Sequence, residues 1–264
     1  MPRFLIGKLL SLNMIYLLTM RNSACNSIWI LVVIVFFLLS CGASQEKQNN
    51  QGIDYIRKGE FDQAISHFTK AIEINPRDAS AYEYRGFAHW KKGHYDQAIF
   101  NYTKAIEINP KNTLIYINRG IVYEERGQYD QAISDFNMVI EIDPNNVWAY
   151  KHRGLAYRKK GQYDQAISDY NKVLAIAPKD AITYSHRGVA YYFKSQYDEA
   201  IADYNKAQEL DPSDAAPYYN RGVAYYSKQE YDKSWEDINR AQELGYKIPL
   251  EFLEELRKGS GREE

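Results

Sequence analysis

A 34-residue period runs through most of this chain and leaves few folds open to it. Shifting the stretch Arg119–Asn146 by one period recovers its pattern again and again. Gly120 recurs as Gly52, Gly86, Gly154, Gly188 and Gly222; Pro144 as Pro76, Pro110, Pro178 and Pro212; Tyr129 as Phe61, Tyr95, Tyr163, Tyr197 and Tyr231. Each period holds two helical patterns with a short turn near Gly127. In the third period helix A is expected over about 113–126 and helix B over about 130–143. Gly120 and Ala132 are small, so the two backbones can approach closely, with Tyr123, Tyr129 and Phe136 filling the space beside them. Ile133, Ile140 and Ile142 extend the apolar face of helix B. Asp78, Asn112, Asn146, Asp180 and Asp214 are placed to cap successive A helices, and Asp130 to cap a B helix. The proline two residues before each A-helix cap stops the preceding helix.

One such pair cannot bury its own apolar face, but stacked pairs can. The period and the recurring residues resemble the tetratricopeptide (TPR) repeat. The resemblance implies an all-α, right-handed α-solenoid of about six helix-turn-helix units, at 45–78, 79–112, 113–146, 147–180, 181–214 and 215–248. Unit one is polar in its first half, which suits a terminal repeat and predicts a frayed or short helix A. In unit six Ser234, Trp235 and Ile238 replace the residues used earlier. Pro249 then opens a capping helix over 249–258, with Leu250, Leu253 and Leu256 packing down and Glu251, Glu254 and Glu255 facing water. Residues 259–264 are expected to be a disordered tail.

The amino terminus reads differently. Ile28 to Leu39 is a wholly apolar run of 12 residues, short of the about 20 needed to span a bilayer but suited to the apolar region of a signal peptide. Arg21 precedes it, and Leu38-Leu39-Ser40-Cys41-Gly42 follows. That stretch resembles the lipobox of bacterial lipoproteins, which implies cleavage of a leader at 1–40, lipidation of Cys41 and a short linker at 41–44. A buried Cys41 ending an uncleaved anchor is the alternative. The extra apolar segment at 1–19 points to a true start at Met20 or Met14, or else to a second membrane-associated segment. The expected location is the cell envelope, on the periplasmic face. Gly42, where many retained lipoproteins carry Asp, leans toward the outer membrane of a two-membrane cell. Cys25 would leave with the leader, so the mature domain would hold no disulfide.

Charge excludes one class of partner. A chain starting at residue 41 would hold 30 basic residues against 34 acidic ones, a net charge of −4, and that is no footprint for nucleic acid. The five histidines lack metal-ligand spacing; His152 and His186 occupy equivalent helix A positions and are expected to be a solvated pair. The glycines follow the repeat, and no Ser, Cys or Lys sits in a nucleophile context, so neither an enzyme, a cofactor nor a metal is expected.

Two residue sets stand out. Arg119, Arg153, Arg187 and Arg221 precede the helix A glycines, and 16 residues on lie Asp135, Asp169, Asp203 and Asp237. They are expected to pair as a ladder between helices A and B, with an anion-binding arginine stripe as the alternative. Unit two has Arg85 with Asn101, and unit one has Gln51 with His67. The second set follows from the TPR resemblance, which implies a partner groove lined by the second, fifth, ninth, twelfth and thirteenth residues of each unit. On this chain the groove candidates are Phe87, Trp90, Ile117, Ile121, Trp148, Lys151, Leu155, Arg158, Val189, Tyr192, Tyr219 and Tyr226, with Trp90, Trp148 and Tyr192 as anchors. An acidic step at Glu124 and Glu125 lies beside a basic step at Lys151, Arg158 and Lys159. The family's carboxylate clamp would need Asn where Leu155 stands, so recognition of chaperone tails is disfavoured. The expected function is a lipid-anchored scaffold whose groove takes an apolar or amphipathic segment of another protein. A self-associating structural protein and a cell-wall or carbohydrate binder are the other readings.

Overall fold

The computed structural model describes residues 23–261, with side chains described for 31–35 and from 42 onward. The expectations on residues 1–22 and on the Cys41 side chain therefore lie outside the described residues. Among the described residues the regular structure is thirteen α-helices and no strand. The chain divides between Lys92 and Gly93 into two compact units.

The first unit holds α1 (Ser23–Arg57), α2 (Phe61–Ile74) and α3 (Ala79–Lys91). Here the expectation of a frayed or short first helix A is corrected. α1 runs 35 residues without a break, from the apolar run into the first repeat. Its polar residues turn inward: Gln45 and Asn49 donate to Asp78 Oδ2 at 2.5 and 2.7 Å, and Gln48 meets His67 Nδ1 at 2.8 Å. Leu31 to Val35 are 47–65% exposed on this helix. Among the described residues no helix is long and apolar enough to cross a membrane.

The second unit opens with α4 (Tyr95–Ile108) and continues as A/B pairs: α5 (Thr113–Glu125) with α6 (Tyr129–Ile142), α7 (Val147–Lys159) with α8 (Tyr163–Ile176), α9 (Ala181–Phe193) with α10 (Tyr197–Leu210), and α11 (Ala215–Ser227) with α12 (Tyr231–Glu243). This is the all-α packing in successive pairs that the period implies. A β-carbon on Gly120 would stand 2.7 Å from the Phe136 ring, so the residue must be Gly for α5 and α6 to meet. Around that contact Ala132, Phe136, Val139 and Ala149 are wholly buried. A buried side chain of Phe136's size contributes about 1.5–3 kcal/mol, and the same cluster recurs with Tyr170 and Tyr204.

Capping follows the expectation at A helices and departs from it at B helices. Asp78, Asn112, Asn146, Asp180 and Asp214 each accept a backbone N–H of the helix they precede. Asp130 does not cap α6; Gln128 holds that position, without a side-chain hydrogen bond. Asp130 sits inside the first turn, where a carboxylate favours the helix dipole, and reaches forward to Lys160. The same step of 30 residues joins Asp62 to Lys92, Asp96 to Arg126, Asp164 to Lys194 and Asp198 to Lys228.

The last helix, α13 (Leu250–Ser260), also differs in detail. Leu256 is wholly buried and Leu253 packs down, but Leu250 is 73% exposed. Phe252 packs instead, edge-on to Tyr219 and Tyr226. Gly259 and Ser260 belong to the helix rather than to a tail, because Ser260 accepts a 3.0 Å hydrogen bond from the Trp235 indole.

Candidate partner-binding face

The ladder arginines do more than join two helices. In the second unit Arg119 donates from Nε and Nη2 to the two oxygens of Asp135, at 2.9 and 2.6 Å. Arg153 with Asp169, Arg187 with Asp203 and Arg221 with Asp237 repeat the fork. The Nη1 of each reaches back to the preceding B helix: Arg119 to Thr103, Arg153 to Asn137, Arg187 to Asn171 and Arg221 to Asn205. In the first unit Arg85 reaches Thr69 in the same way. The aspartates are 3–5% exposed. A stripe so fully engaged is a structural bolt, and its arginines are not free to take an anion.

The groove candidates separate into several environments. In the first unit Phe87 and Trp90 meet edge-on at 5.7 Å, and Lys91 Nζ lies 4.1 Å from the Trp90 ring. In the second unit Ile117 and Ile121 pack against the Phe136 cluster, and Val189 and Tyr192 against the Tyr204 cluster. Leu155 is half-buried. The Tyr192 hydroxyl lies 3.1 Å from Ser227 Oγ. Tyr219 and Tyr226 are covered by the chain itself: Tyr246 stacks on Tyr219 at 4.7 Å, and Phe252 closes over both. Both residues remain half-buried. What stays open is the second residue of three successive A helices: Leu114, Trp148 and Ile182, at 52%, 64% and 56% exposed. Trp148 is also stacked on His152, at 5.7 Å and 13°.

The charged steps are rearranged as well. Glu124 is half-buried and accepts from His152 Nδ1 at 2.7 Å. Lys151 pairs with Asp180 at 2.5 Å, and with the Thr183 N–H it holds that carboxyl below its usual range in spite of burial. His152 and His186 are not a solvated pair. Burial, with the charges of Arg158 and Lys151, pushes His186 down to about 4, so the ring is neutral at pH 7. Burial pushes the Tyr170 hydroxyl up to about 12. Sequence reasoning missed this cluster, although its cue was present: the twelfth residue of one A helix faces the sixth of the next, 28 residues on. No group of side chains among the described residues could hold a metal ion.

Family models for "TPR repeat" match residues 52–93, 154–195 and 190–229, and models for "Tetratricopeptide repeat" match 79–112, 114–146 and 136–168. The chain belongs to the tetratricopeptide-repeat family. Solved TPR structures agree. A MamA crystal structure is 26% identical, with a TM-score of 0.61 over 65% of this chain and 94% of that one. MamA from Desulfovibrio magneticus RS-1 is 25% identical, with a TM-score of 0.60 over 63% and 94%. YrrB, described as a TPR protein with an unusual peptide-binding site, is 25% identical, with a TM-score of 0.57 over 67% and 92%. Pseudomonas aeruginosa PilF, at 18% identity and a TM-score of 0.66 over 81% and 97%, shares the fold. No curated protein matches the chain at a significant level.

Proposed function

We propose that this TPR protein is a scaffold that holds a segment of another protein on the helix A face of its second unit, and that a lipid on Cys41 anchors it in a bacterial cell envelope. The observation that carries the docking reading is the exposed row Leu114, Trp148 and Ile182. The equivalent residue is Ala216 in the last repeat, so the fold does not require bulk there. A large aromatic held on a rigid helix is a usual anchor of binding energy. The likeness to YrrB, with its peptide-binding site, supports the same reading. The anchor is supported by the apolar run before Cys41 and by the exposure of Leu31 to Val35.

The test is affinity purification of the partner from detergent-solubilised membranes, followed by its titration against wild type and a Trp148→Ala, Ile182→Ala double variant. The expected loss is more than about tenfold, about 1.4 kcal/mol. Helical circular dichroism should be unchanged, since neither side chain belongs to a buried cluster. Wild-type affinity in the double variant would overturn the reading.

A further inference from the structure

We infer that a second copy of this chain covers the exposed row, in a side-by-side, antiparallel dimer whose two-fold axis passes between α9 and α11. The dimer goes beyond the docking reading, and a partner segment competes with it for the row.

The row is longer than Leu114, Trp148 and Ile182. Further steps of 34 carry it to Ala216 on α11 and Leu250 on α13. By the same step α13 lies in register with a seventh helix A, and the 73% exposed Leu250 takes the row's place on it. The four large members stand more than half exposed at the starts of α5, α7, α9 and α13. Large apolar side chains repeated at one position mark a contact surface rather than scattered exposure.

The turn before each of these helices carries a charge, and its sign alternates. Lys111 precedes α5, Asp143 α7, Lys179 α9, Asp211 α11 and Lys247 α13. The three lysines are exposed and hold no carboxylate among the described residues. Asp143 accepts hydrogen bonds from Asn145 and Asn146, and Asp211 from Ser213, all within their own turns. Neither aspartate holds a Lys or Arg among the described residues. Of the other carboxylates in these turns, Asp180 is matched by Lys151 and Asp214 caps α11. The helix that follows is capped by Asn112 or Asn146 whichever sign precedes it, so the fold does not require the alternation.

A row of alternating sign complements itself when a copy runs antiparallel and the axis falls between two members. With the axis between α9 and α11, Lys179 faces the partner's Asp211 and Asp143 faces the partner's Lys247. Two-fold symmetry makes each pair twice. Ile182 then meets the partner's Ala216, and Trp148 meets the partner's Leu250. An axis on α9 itself would set Lys179 against its own copy, and like charges repel. An axis one repeat earlier keeps the signs matched but covers Leu114, at 52% exposed, in place of Leu250 at 73%. The later axis therefore removes more apolar surface from water. The repeat also fixes the step along the row, so a second copy matches it at every member.

Sedimentation equilibrium of the full chain in density-matched detergent reads the dimer constant. Lys179→Asp alone and Asp211→Lys alone each set like charges together twice, and each is expected to weaken the dimer at least about tenfold. Mixing the two variants brings opposite signs together at both contacts, so the heterodimer should form within about threefold of wild-type affinity. Rescue on mixing cannot come from variants that fail to fold. A wild type that stays monomeric, single variants as tight as wild type, or a mixture as weak as its components overturns the inference. Rescue of Lys179→Asp by Asp143→Lys in place of Asp211→Lys would put the axis one repeat earlier and overturn it too. None of these results touches the docking reading, which stands or falls on the partner titration.

Discussion

Ser195 and Gln229 stand at φ 60° and 63°, in the turn that the earlier repeats close with Gly59, Gly93, Gly127 and Gly161 at φ 71–76°. A side chain in the left-handed region costs about 1–2 kcal/mol, while glycine adds about 0.5–1 kcal/mol of unfolded-state entropy. No atom crowds the four glycines, so the difference is conformational rather than steric. Ser195→Gly is therefore expected to stabilise the protein by about 0.5–1 kcal/mol, seen as a higher urea midpoint with an unchanged slope. An unchanged or lower midpoint would show that the Ser195 side chain makes up for its strain. The turn itself was legible from the period. The strain in its last two copies was not, since it lies in a dihedral angle.

At the scale of the element, each ladder arginine ties three helices together. Arg153 on α7 forks to Asp169 on α8 and also reaches Asn137 on α6. The spacing of 16 forward was legible as a pair; the reach of 16 back was not, because Thr69, Thr103, Asn137, Asn171 and Asn205 carry no charge there. A double-mutant cycle on Arg153 and Asp169 is expected to show coupling of about 0.5–3 kcal/mol, and simple additivity in chemical unfolding would contradict the fork. His186 gives the same elements a pH dependence. Its folded value, about 4, lies below the ordinary histidine value of 6.5, so the unfolded chain takes up the proton first. Its contribution is fully present above pH 6.5 and is lost as pH falls toward 4. Wild type should therefore lose more stability between those limits than His186→Gln, by a difference of order 1 kcal/mol or more. Parallel pH profiles for the two proteins would contradict the burial of this ring.

For the whole molecule, α1 carries the apolar run and helix A of the first repeat in one helix, and only Gly42, Ala43 and Ser44 separate Cys41 from Gln45, which is already bonded to Asp78. Lipidation at Cys41 would hold the first repeat against the bilayer with almost no tether. Cys41→Ser is expected to release the protein from the membrane fraction or leave it at its unprocessed mass, as read by fractionation and intact-mass measurement. Normal processing and membrane retention would sink the lipobox reading. The 34-residue period by itself determined the helices, their pairing, the caps of the A helices and the bolts between the A and B helices. Those depend on volume, backbone freedom and charge type at positions that recur, and all three can be read from residue identity. Only the tertiary structure decided which helix A side chains stay open. Exposure at one position depends on what arrives from far along the chain: His152 on Glu124, Asp180 on Lys151, and Phe252 on Tyr219 and Tyr226. Leu114, Trp148 and Ile182 stay more than half exposed among the described residues, and no spacing within a single repeat records that.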